Sequence, residues 1–390
     1  MELYHTIDIL AALTFLLVQA RITQLMARSA ARRFSGHRFA LALGGTAVFD
    51  GLLVLGYLLS FSGLAAEYHF PRLASTALTA AALFYLLLAS AVLILHRLLE
   101  WLRQPLEAAT DPGRRRLLAA AGNTALAAPF AVLGYGSFVE RLDFHTREID
   151  VPIPDLPRDL DGIRIVQVSD IHLSPFLSEK QFARVIDSAN DLRPHIAAMT
   201  GDLITAWGDP IDAALRQVAR LKADAGIFAC IGNHEIYAGV ADYAGRAGAR
   251  QGIRFLRGAS APLRFGSATV NLAGLDYQPK SLKPDYLQGA ERFIRPGAVN
   301  ILLQHNPDVF PAAARLGYNL LLAGHTHGGQ ITVEILDRAI SPAFFFTPYV
   351  YGLYRLGAAS AYVTRGIGTI GLPTRIGAPP ELSLIRLRKA

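Results

Sequence analysis

Histidines, carboxylates and one amide recur at five points of the chain, each directly after a short apolar run. They are Asp170 and His172 in "SDIHLS", Asp202 in "TGDLI", Asn233 and His234 in "IGNHEIY", His305 in "LLQHNPD", and His325 and His327 in "AGHTHGG". Nitrogen and oxygen ligands without thiolates suit divalent ions such as manganese, iron, zinc or magnesium. The residue types therefore predict a metal site, and the choice among these metals stays open.

The elements that carry these residues alternate between strand and helix. Beyond residue 150, short apolar runs rich in β-branched residues alternate with amphipathic segments, which predicts an α/β domain with buried strands. Ligands of open α/β sheets lie beyond the carboxyl ends of the strands, so we expect the five points to meet in one crevice. The sixth histidine of this region, His195, begins a strand and is predicted to be structural.

The number of candidate ligands exceeds what one ion needs. This surplus suggests two ions, the arrangement used for displacement at phosphorus. Glycines beside the histidines, such as Gly324, Gly328 and Gly329, would let the chain bend sharply around them. His325 and His327 would then face different ions from one bent loop.

Taken in this order, the five motifs closely resemble those of the calcineurin-like metallophosphoesterase family. The resemblance extends over about residues 149–387, and the whole chain is similar to the bacterial membrane-linked branch of that family. It implies a four-layer αββα sandwich and metal-dependent hydrolysis of phosphodiesters or phosphomonoesters.

The resemblance also implies a role for each motif residue. One metal would be held by Asp170, His172, Asp202 and His327. The second metal would share Asp202 and add Asn233, His305 and His325. His234 would bind no metal, but would contact the phosphate and protonate the leaving oxygen.

One position departs from the family pattern. In the phosphatase branch, an aspartate three residues after the Gly-Asp aspartate orients the equivalent of His234, whereas this chain has Thr205 there. A strong Asp–His dyad is therefore not expected. Asp209, further along the loop, receives no role from the sequence.

The first third of the chain has the composition of a membrane region. The 390 residues are 52% hydrophobic with a mean hydropathy of +0.30, which is more apolar than an ordinary soluble enzyme. Four apolar stretches, 7–26, 39–64, 74–95 and 117–136, are each about long enough to cross the ~30 Å hydrocarbon core. They predict three to four transmembrane helices.

Arginines set the predicted orientation. They cluster after the first and third stretches, whereas Arg72 stands alone between the second and third. By the positive-inside rule the arginine-rich loops are cytoplasmic, so four spans place everything after Gly136 outside the cytoplasm. The stretch "GRRRLLAAAG" is open to two interpretations, a topology-setting cluster or a twin-arginine export signal. Both send the C-terminal part outward.

These observations predict three regions: a membrane region over 1–137, a linker and first strand over 138–160, and a metallophosphoesterase domain over 161–390. Asp50, within the second apolar stretch, is expected to hydrogen-bond Gln19 or Gln24 between helices rather than to serve transport. Cys230 lies in an apolar run and is predicted to be a core residue.

One aromatic stretch of the C-terminal domain bears on the substrate. The stretch "SPAFFFTPYVYGLY" (341–354) would either pack on the sheet or line an acyl-chain path at a bilayer. The leading hypothesis is a membrane-anchored phosphoesterase acting on a phosphate ester, with envelope lipids as one substrate class. An extracytoplasmic nuclease or nucleotide phosphoesterase and a silent membrane scaffold are the alternatives. The net charge of +7 does not by itself indicate nucleic acid.

Overall fold

The computed structural model describes the C-terminal two thirds of the chain almost without gaps. The described residues are 36–61, 131–335 and 338–390, with short stretches between 17 and 35, between 85 and 101, and at 113 and 129. The chain divides into two compact units, 1–135 and 136–390. The first, third and fourth predicted spans lie largely outside the described residues.

In the N-terminal unit the principal described element is α1 (Gly36–Phe61). Asp50 on this helix accepts hydrogen bonds from Gln19 Nε2 and from Thr23 Oγ1, the latter at 2.8 Å. The predicted bond between Asp50 and Gln19 is confirmed, whereas Gln24 accepts from Arg21 instead. Among the described residues, none of the helices combines the length and the apolar character needed to cross a bilayer.

The C-terminal unit contains two six-stranded sheets, with strands numbered in chain order. The first sheet has the order β1 (His145–Ile153), β14 (Glu381–Lys389), β2 (Arg164–Val168), β3 (Ile196–Thr200), β4 (Ile227–Cys230), β5 (Ile253–Phe255). The second has the order β12 (Gly352–Leu356), β13 (Ala359–Val363), β9 (Leu320–Ala323), β8 (Val299–Leu303), β7 (Ala268–Gly274), β6 (Ala259–Phe265). A separate ribbon pairs β10 (Val333–Ile335) with β11 (Arg338–Ile340).

Both faces of each sheet are covered, which explains the continuous apolar runs in the sequence. Side chains alternate along a strand, so Ile165 of β2 enters the core between the sheets while Val166 and Val168 enter the core under the helices. Helices α2 (Glu179–Asp191), α3 (Ile211–Val218) and α5 (Ala241–Arg250) pack on the first sheet, and α6 (Phe310–Leu316) packs on the second. The predicted mixed α/β sandwich is confirmed.

Helix α2 shows how the sequence sets a local element. Ser178 caps its start by accepting the N–H of Gln181, whose side chain accepts the N–H of Ser178 in return. This capping box satisfies N–H groups that the first turn leaves unpaired. The buried residues Phe182, Val185, Ile186 and Ala189 recur at the helical period, so one face of α2 lies on the sheet.

Two residues with reactive side chains, Cys230 and His195, are structural, as predicted. Cys230 is buried in the core between the sheets. His195 lies at the start of β3, where its Nδ1 accepts the backbone N–H of Arg164 at 2.9 Å. Neither side chain belongs to the strand-end motifs.

Candidate metal centre

The five motifs follow strands that end at a common edge. Strands β2, β3 and β4 run parallel in the first sheet, and β8 and β9 run parallel in the second. The two sheets are joined at these ends, because His305 Nδ1–H, after β8, donates to the carbonyl of Thr200 at 2.6 Å. Asn233 and His234 begin the short helix α4 (Asn233–Tyr237) directly after β4.

A first group of ligand atoms comes from the loops that follow β2 and β9. Atoms of Asp170, His172 and His327 lie within 4.8 Å of one another. His172 Nε2 is 3.1 Å from His327 Nε2, and His327 Nε2 is 3.5 Å from Asp170 Oδ1. Asp202 Oδ2 lies 3.6 Å from His172 Nε2, so it adjoins this group.

A second group lies beside the first. Atoms of Asp202, His305 and His325 also lie within 4.8 Å of one another. His305 Nε2 is 2.9 Å from Asp202 Oδ2, and Asn233 Oδ1 is 2.9 Å from His325 Nδ1. Oxygen Oδ2 of Asp202 therefore adjoins both groups, and all seven predicted ligands come together.

Two buried atoms show that the groups suit metal ions. Asp170 Oδ2 has no hydrogen-bond partner among the described residues, and His305 Nε2 faces the carboxylate oxygen Oδ2 of Asp202. Buried polar atoms are nearly always paired, and the Thr200 carbonyl accepts the proton of His305 Nδ1, so Nε2 is the ring nitrogen that would face a metal ion. With two carboxylates, an amide oxygen and four imidazoles, the donor set fits divalent cations.

Burial controls the charge of these ligands. It lowers the pKa of His172 and of His325 to about 3 each, which keeps these rings in the neutral form that binds metal. Burial opposes the charged form of Asp202, but neighbouring His305 holds the pKa of Asp202 well below its usual range. Asp202 thus retains the negative charge that favours metal binding.

The backbone is unusual at the same residues. Nine non-glycine residues of the described chain have positive φ. Five of them are Asp170 (51°), His172 (47°), Asp202 (57°), His325 (76°) and His327 (53°). Such backbone is uncommon for residues with a side chain and concentrates at functional sites, where the surroundings hold it in place.

Gly324 has a steric role beside this strained backbone. A Cβ atom at this position would overlap the carboxylate of Asp170 and the hydroxyl of Ser169. The absence of a side chain lets His325 N–H approach Asp170 Oδ1 to 2.9 Å. Gly324 therefore permits a specific close contact beside His325.

Glu235 is a site residue that the sequence motifs did not single out. Fully buried, it accepts backbone N–H groups of Gly232 (2.9 Å) and Asp202 (3.0 Å) on Oε2, and of Leu203 (2.7 Å) and Ile204 (3.4 Å) on Oε1. Burial, and then Asp202, raise the pKa of Glu235 to about 7. Its place at the third position of α4, where a glutamate commonly caps, was the available sequence signal.

Arg375 is the second residue that the motifs missed. Completely buried, it donates to the carbonyls of His327 (2.8 Å), Gly368 (3.1 Å) and Ala378 (3.1 Å). Its Nη2 lies 3.3 Å from His327 Nδ1. Burial lowers the pKa of Arg375 to about 10, so it stays charged at neutral pH and holds the loop of His327 in place.

His234 lies beside both groups and is open to solvent on one side. Its ring centroid is 4.7 Å from that of His172, and its backbone N–H donates to Asp202 Oδ1 at 3.0 Å. Its Nδ1–H donates to the carbonyl of Thr205 at 2.5 Å. The group that orients this ring directly is therefore a backbone carbonyl and not a carboxylate, as expected.

Aromatic rings border the centre. Tyr277 has its ring centroid 5.2 Å from His325, and Tyr237, which is 69% exposed, has its centroid 6.1 Å from His234. The Tyr237 ring therefore lies beside the site and is open to solvent.

The aromatic stretch 341–354 divides into two parts. Tyr349 and Tyr354 pack against the core on the outer face of the second sheet. Phe344, Phe345 and Phe346, in contrast, are 44%, 90% and 51% exposed. The packing interpretation is confirmed for Tyr349 and Tyr354, whereas the acyl-chain interpretation stays a prediction.

Parts of this chain are similar to known proteins. The sequence model described as calcineurin-like phosphoesterase matches residues 163–329. The chain is 31% identical to "Uncharacterized metallophosphoesterase YkuE" of Bacillus subtilis (strain 168), over 65% of this chain and 89% of that protein. It is 29% identical to "Transmembrane protein with metallophosphoesterase domain" of Danio rerio, over 79% of this chain and 71% of that protein. Among solved structures it is similar to phosphopantetheinyl hydrolase from Mycobacterium tuberculosis, with a TM-score of 0.35, 10% identity, and coverage of 53% of this chain and 91% of that one.

Proposed function

The chain belongs to the calcineurin-like metallophosphoesterase family, and from that premise we propose that it is a membrane-anchored phosphoesterase with a dinuclear metal centre. It is a metal-dependent phosphoric ester hydrolase, and the proposal adds the number of metals, the substrate and the anchoring. The observation that carries the proposal is Asp202, whose Oδ2 adjoins both groups of ligand atoms.

The residues of the centre have distinct tasks in this proposal. Asp170, His172 and His327 hold one ion, Asn233, His305 and His325 hold the other, and Asp202 serves both. Two divalent ions, when bound, supply Lewis acidity and neutralise charge on the phosphate oxygens. His234, which is half-buried beside the groups, contacts the phosphate and donates a proton to the leaving oxygen as the P–O bond breaks.

We propose that the N-terminal apolar stretches cross the cell membrane several times and that the hydrolase unit lies outside the cytoplasm. Support comes from the arginine-rich connections of the sequence and from the name of the Danio rerio relative, a transmembrane protein with a metallophosphoesterase domain. A C-terminal alkaline phosphatase fusion is expected to be active, because that reporter needs the oxidising exterior for its disulfides. If only a fusion to a reporter that works in the cytoplasm were active, the proposed topology would be wrong.

We propose further that the phosphate ester is a lipid. The exposed rings of Phe344, Phe345 and Phe346 form an apolar surface of the kind that enters a bilayer interface. Lys280 contacts this surface, since its Nζ donates to the carbonyl of Phe346 and lies 5.8 Å from the centroid of the Phe346 ring. These contacts favour a lipid over the nuclease alternative, for which a crevice lined by arginine and lysine would be expected.

Replacing Phe344, Phe345 and Phe346 together by serine is expected to lower hydrolysis of a phospholipid in vesicles about tenfold or more. Three exposed aromatic rings each contribute on the order of 1 kcal/mol or more when buried at an interface. The tenfold loss on vesicles corresponds to about 1.4 kcal/mol. The rate of hydrolysis of a small soluble chromogenic phosphodiester should stay within about twofold of the wild-type rate, because the predicted metal ligands are unchanged.

The matched control is Leu356→Ser, which removes an exposed apolar side chain from the edge strand β12. It should leave both activities unchanged. Equal losses on the vesicle and the soluble substrate in the triple variant would exclude a lipid-binding role for these rings.

A further inference from the structure

Beyond the ligands and His234, we infer that Asp209 is a positioning residue for catalysis, acting on His234 through the backbone of Thr205. The inference rests on the proposed role of His234 as proton donor. Two sets of hydrogen bonds carry it, one from Asp209 to the turn at Thr205 and one from that turn to the His234 ring.

The second set fixes the histidine. His234 Nδ1 lies 2.5 Å from the carbonyl oxygen of Thr205. A carbonyl can only accept, so Nδ1 carries a proton in this contact. The other ring nitrogen, Nε2, is then the atom that remains to face a substrate, and the carbonyl sets the direction in which it points.

The first set fixes the carbonyl. Asp209 Oδ2 accepts the backbone N–H groups of Thr205 and Ala206, both at 2.9 Å, and Asp209 N–H donates to the carbonyl of Ala206 at 3.1 Å. The residue is 7% exposed. Hydrogen bonds to a buried carboxylate are shorter and stronger than those between neutral groups, so the turn that presents the Thr205 carbonyl is held rigidly.

The same turn also contacts a metal ligand. The hydroxyl of Thr205 is 3.3 Å from His172 Nδ1, while its carbonyl binds His234. A shift of Thr205 would therefore move the proton donor relative to the centre. Position 205, where the family pattern has a carboxylate, is a threonine in this chain. Asp209 orients His234 indirectly, through the backbone of Thr205.

The chemical consequence depends on the leaving group. As water bonds to phosphorus and the P–O bond breaks, the electron pair of that bond stays on the leaving oxygen. His234, as an imidazolium whose Nδ1–H is held by the Thr205 carbonyl, passes its Nε2 proton to that oxygen and is left as neutral imidazole. A strongly basic leaving oxygen needs this proton, whereas a weakly basic one such as 4-nitrophenolate departs without it. Misplacing His234 should therefore slow only the first kind of substrate strongly.

The test compares kcat for unsubstituted phenyl and 4-nitrophenyl esters of the same phosphate, in the full-length metal-loaded protein. Asp209→Ala is expected to lower kcat for the phenyl ester about tenfold or more, part of the 10²–10⁴-fold effect of general acid catalysis. The 4-nitrophenyl ester should lose less than about threefold. In a His234→Ala background, Asp209→Ala should have no further effect, because residues that act as one unit are not additive.

Two variants protect the test against simple loss of folding. Asp209→Asn keeps one acceptor oxygen and should give an intermediate ratio of the two rates. Ser178→Ala removes the cap of α2 and should leave the ratio unchanged. Equal slowing of both esters by Asp209→Ala, or an undiminished effect in the His234→Ala background, would overturn the positioning role. A wild-type protein that hydrolyses neither ester with any divalent metal would instead contradict the proposed function.

Discussion

Asp202→Asn is expected to abolish metal-dependent hydrolysis of a generic phosphodiester, lowering kcat/KM by about 1,000-fold or more. The side chain adjoins both ligand groups, with Oδ2 2.9 Å from His305 Nε2 and 3.6 Å from His172 Nε2. An amide in its place keeps the shape but removes the negative charge that the two proposed ions would share. Metal ions supply several kcal/mol of charge stabilisation, and each 1.36 kcal/mol corresponds to tenfold in rate.

Metal content and activity should be measured on the same preparation. The variant should bind less than two equivalents of metal by mass spectrometry while its circular dichroism stays that of the wild type. Asp150→Asn is the matched control, since Asp150 is an exposed carboxylate paired with Arg386 and Arg388 and should retain full activity. If Asp202→Asn kept more than about a tenth of the wild-type turnover, the activation free energy would have risen by less than about 1.36 kcal/mol. That result would refute the assigned centre.

The convergence of the ligands was predictable because strand ends in a parallel sheet meet at one edge. Each motif follows an apolar run that the sequence marks as a strand, and the structure brings together Asp170, Asp202, His305 and their partners. Which ion each residue holds stays a prediction. The mixed α/β sandwich could be predicted for the same reason, since apolar runs buried on both faces require layers on both sides.

Arg375 could not be predicted because nothing local marks it. It lies in an irregular loop, and its partner His327 is 48 residues away in the sequence. An isolated arginine is usually exposed. Only the closure of the loop around the carbonyls of His327, Gly368 and Ala378 buries it, and that closure is a tertiary event.

The aromatic stretch shows a second limit of sequence reasoning. Clustered rings indicate apolar surface but not which side of a loop each ring takes. Tyr349 reaches the core while Phe345 points to solvent, because a 3₁₀ turn over Pro342–Phe345 rather than a strand carries the phenylalanines. The membrane region, most of which lies outside the described residues, stays a prediction from composition.

The second large effect is expected from Glu235→Gln, which should lower the free energy of unfolding by about 3 kcal/mol and weaken metal binding. Each carboxylate oxygen accepts two backbone N–H groups, Oε1 from Leu203 and Ile204 and Oε2 from Gly232 and Asp202. An amide must place its own N–H against one of these pairs whichever way it is turned. Buried donors left unpaired are destabilising by roughly 1–3 kcal/mol, with more for charged partners.

Chemical denaturation with and without a chelator separates the two effects of this change. Stability should fall in the chelated protein, because the lost hydrogen bonds do not depend on metal. The difference between metal-loaded and chelated protein should shrink as well, because Glu235 fixes the backbone of Asp202, whose φ of 57° a relaxed chain would not keep. Glu148→Gln, at an exposed pair with Arg386, should change stability by less than about 1 kcal/mol. If Glu235→Gln were no more disruptive than this control, the buried carboxylate would not be what holds Asp202 between the two ligand groups.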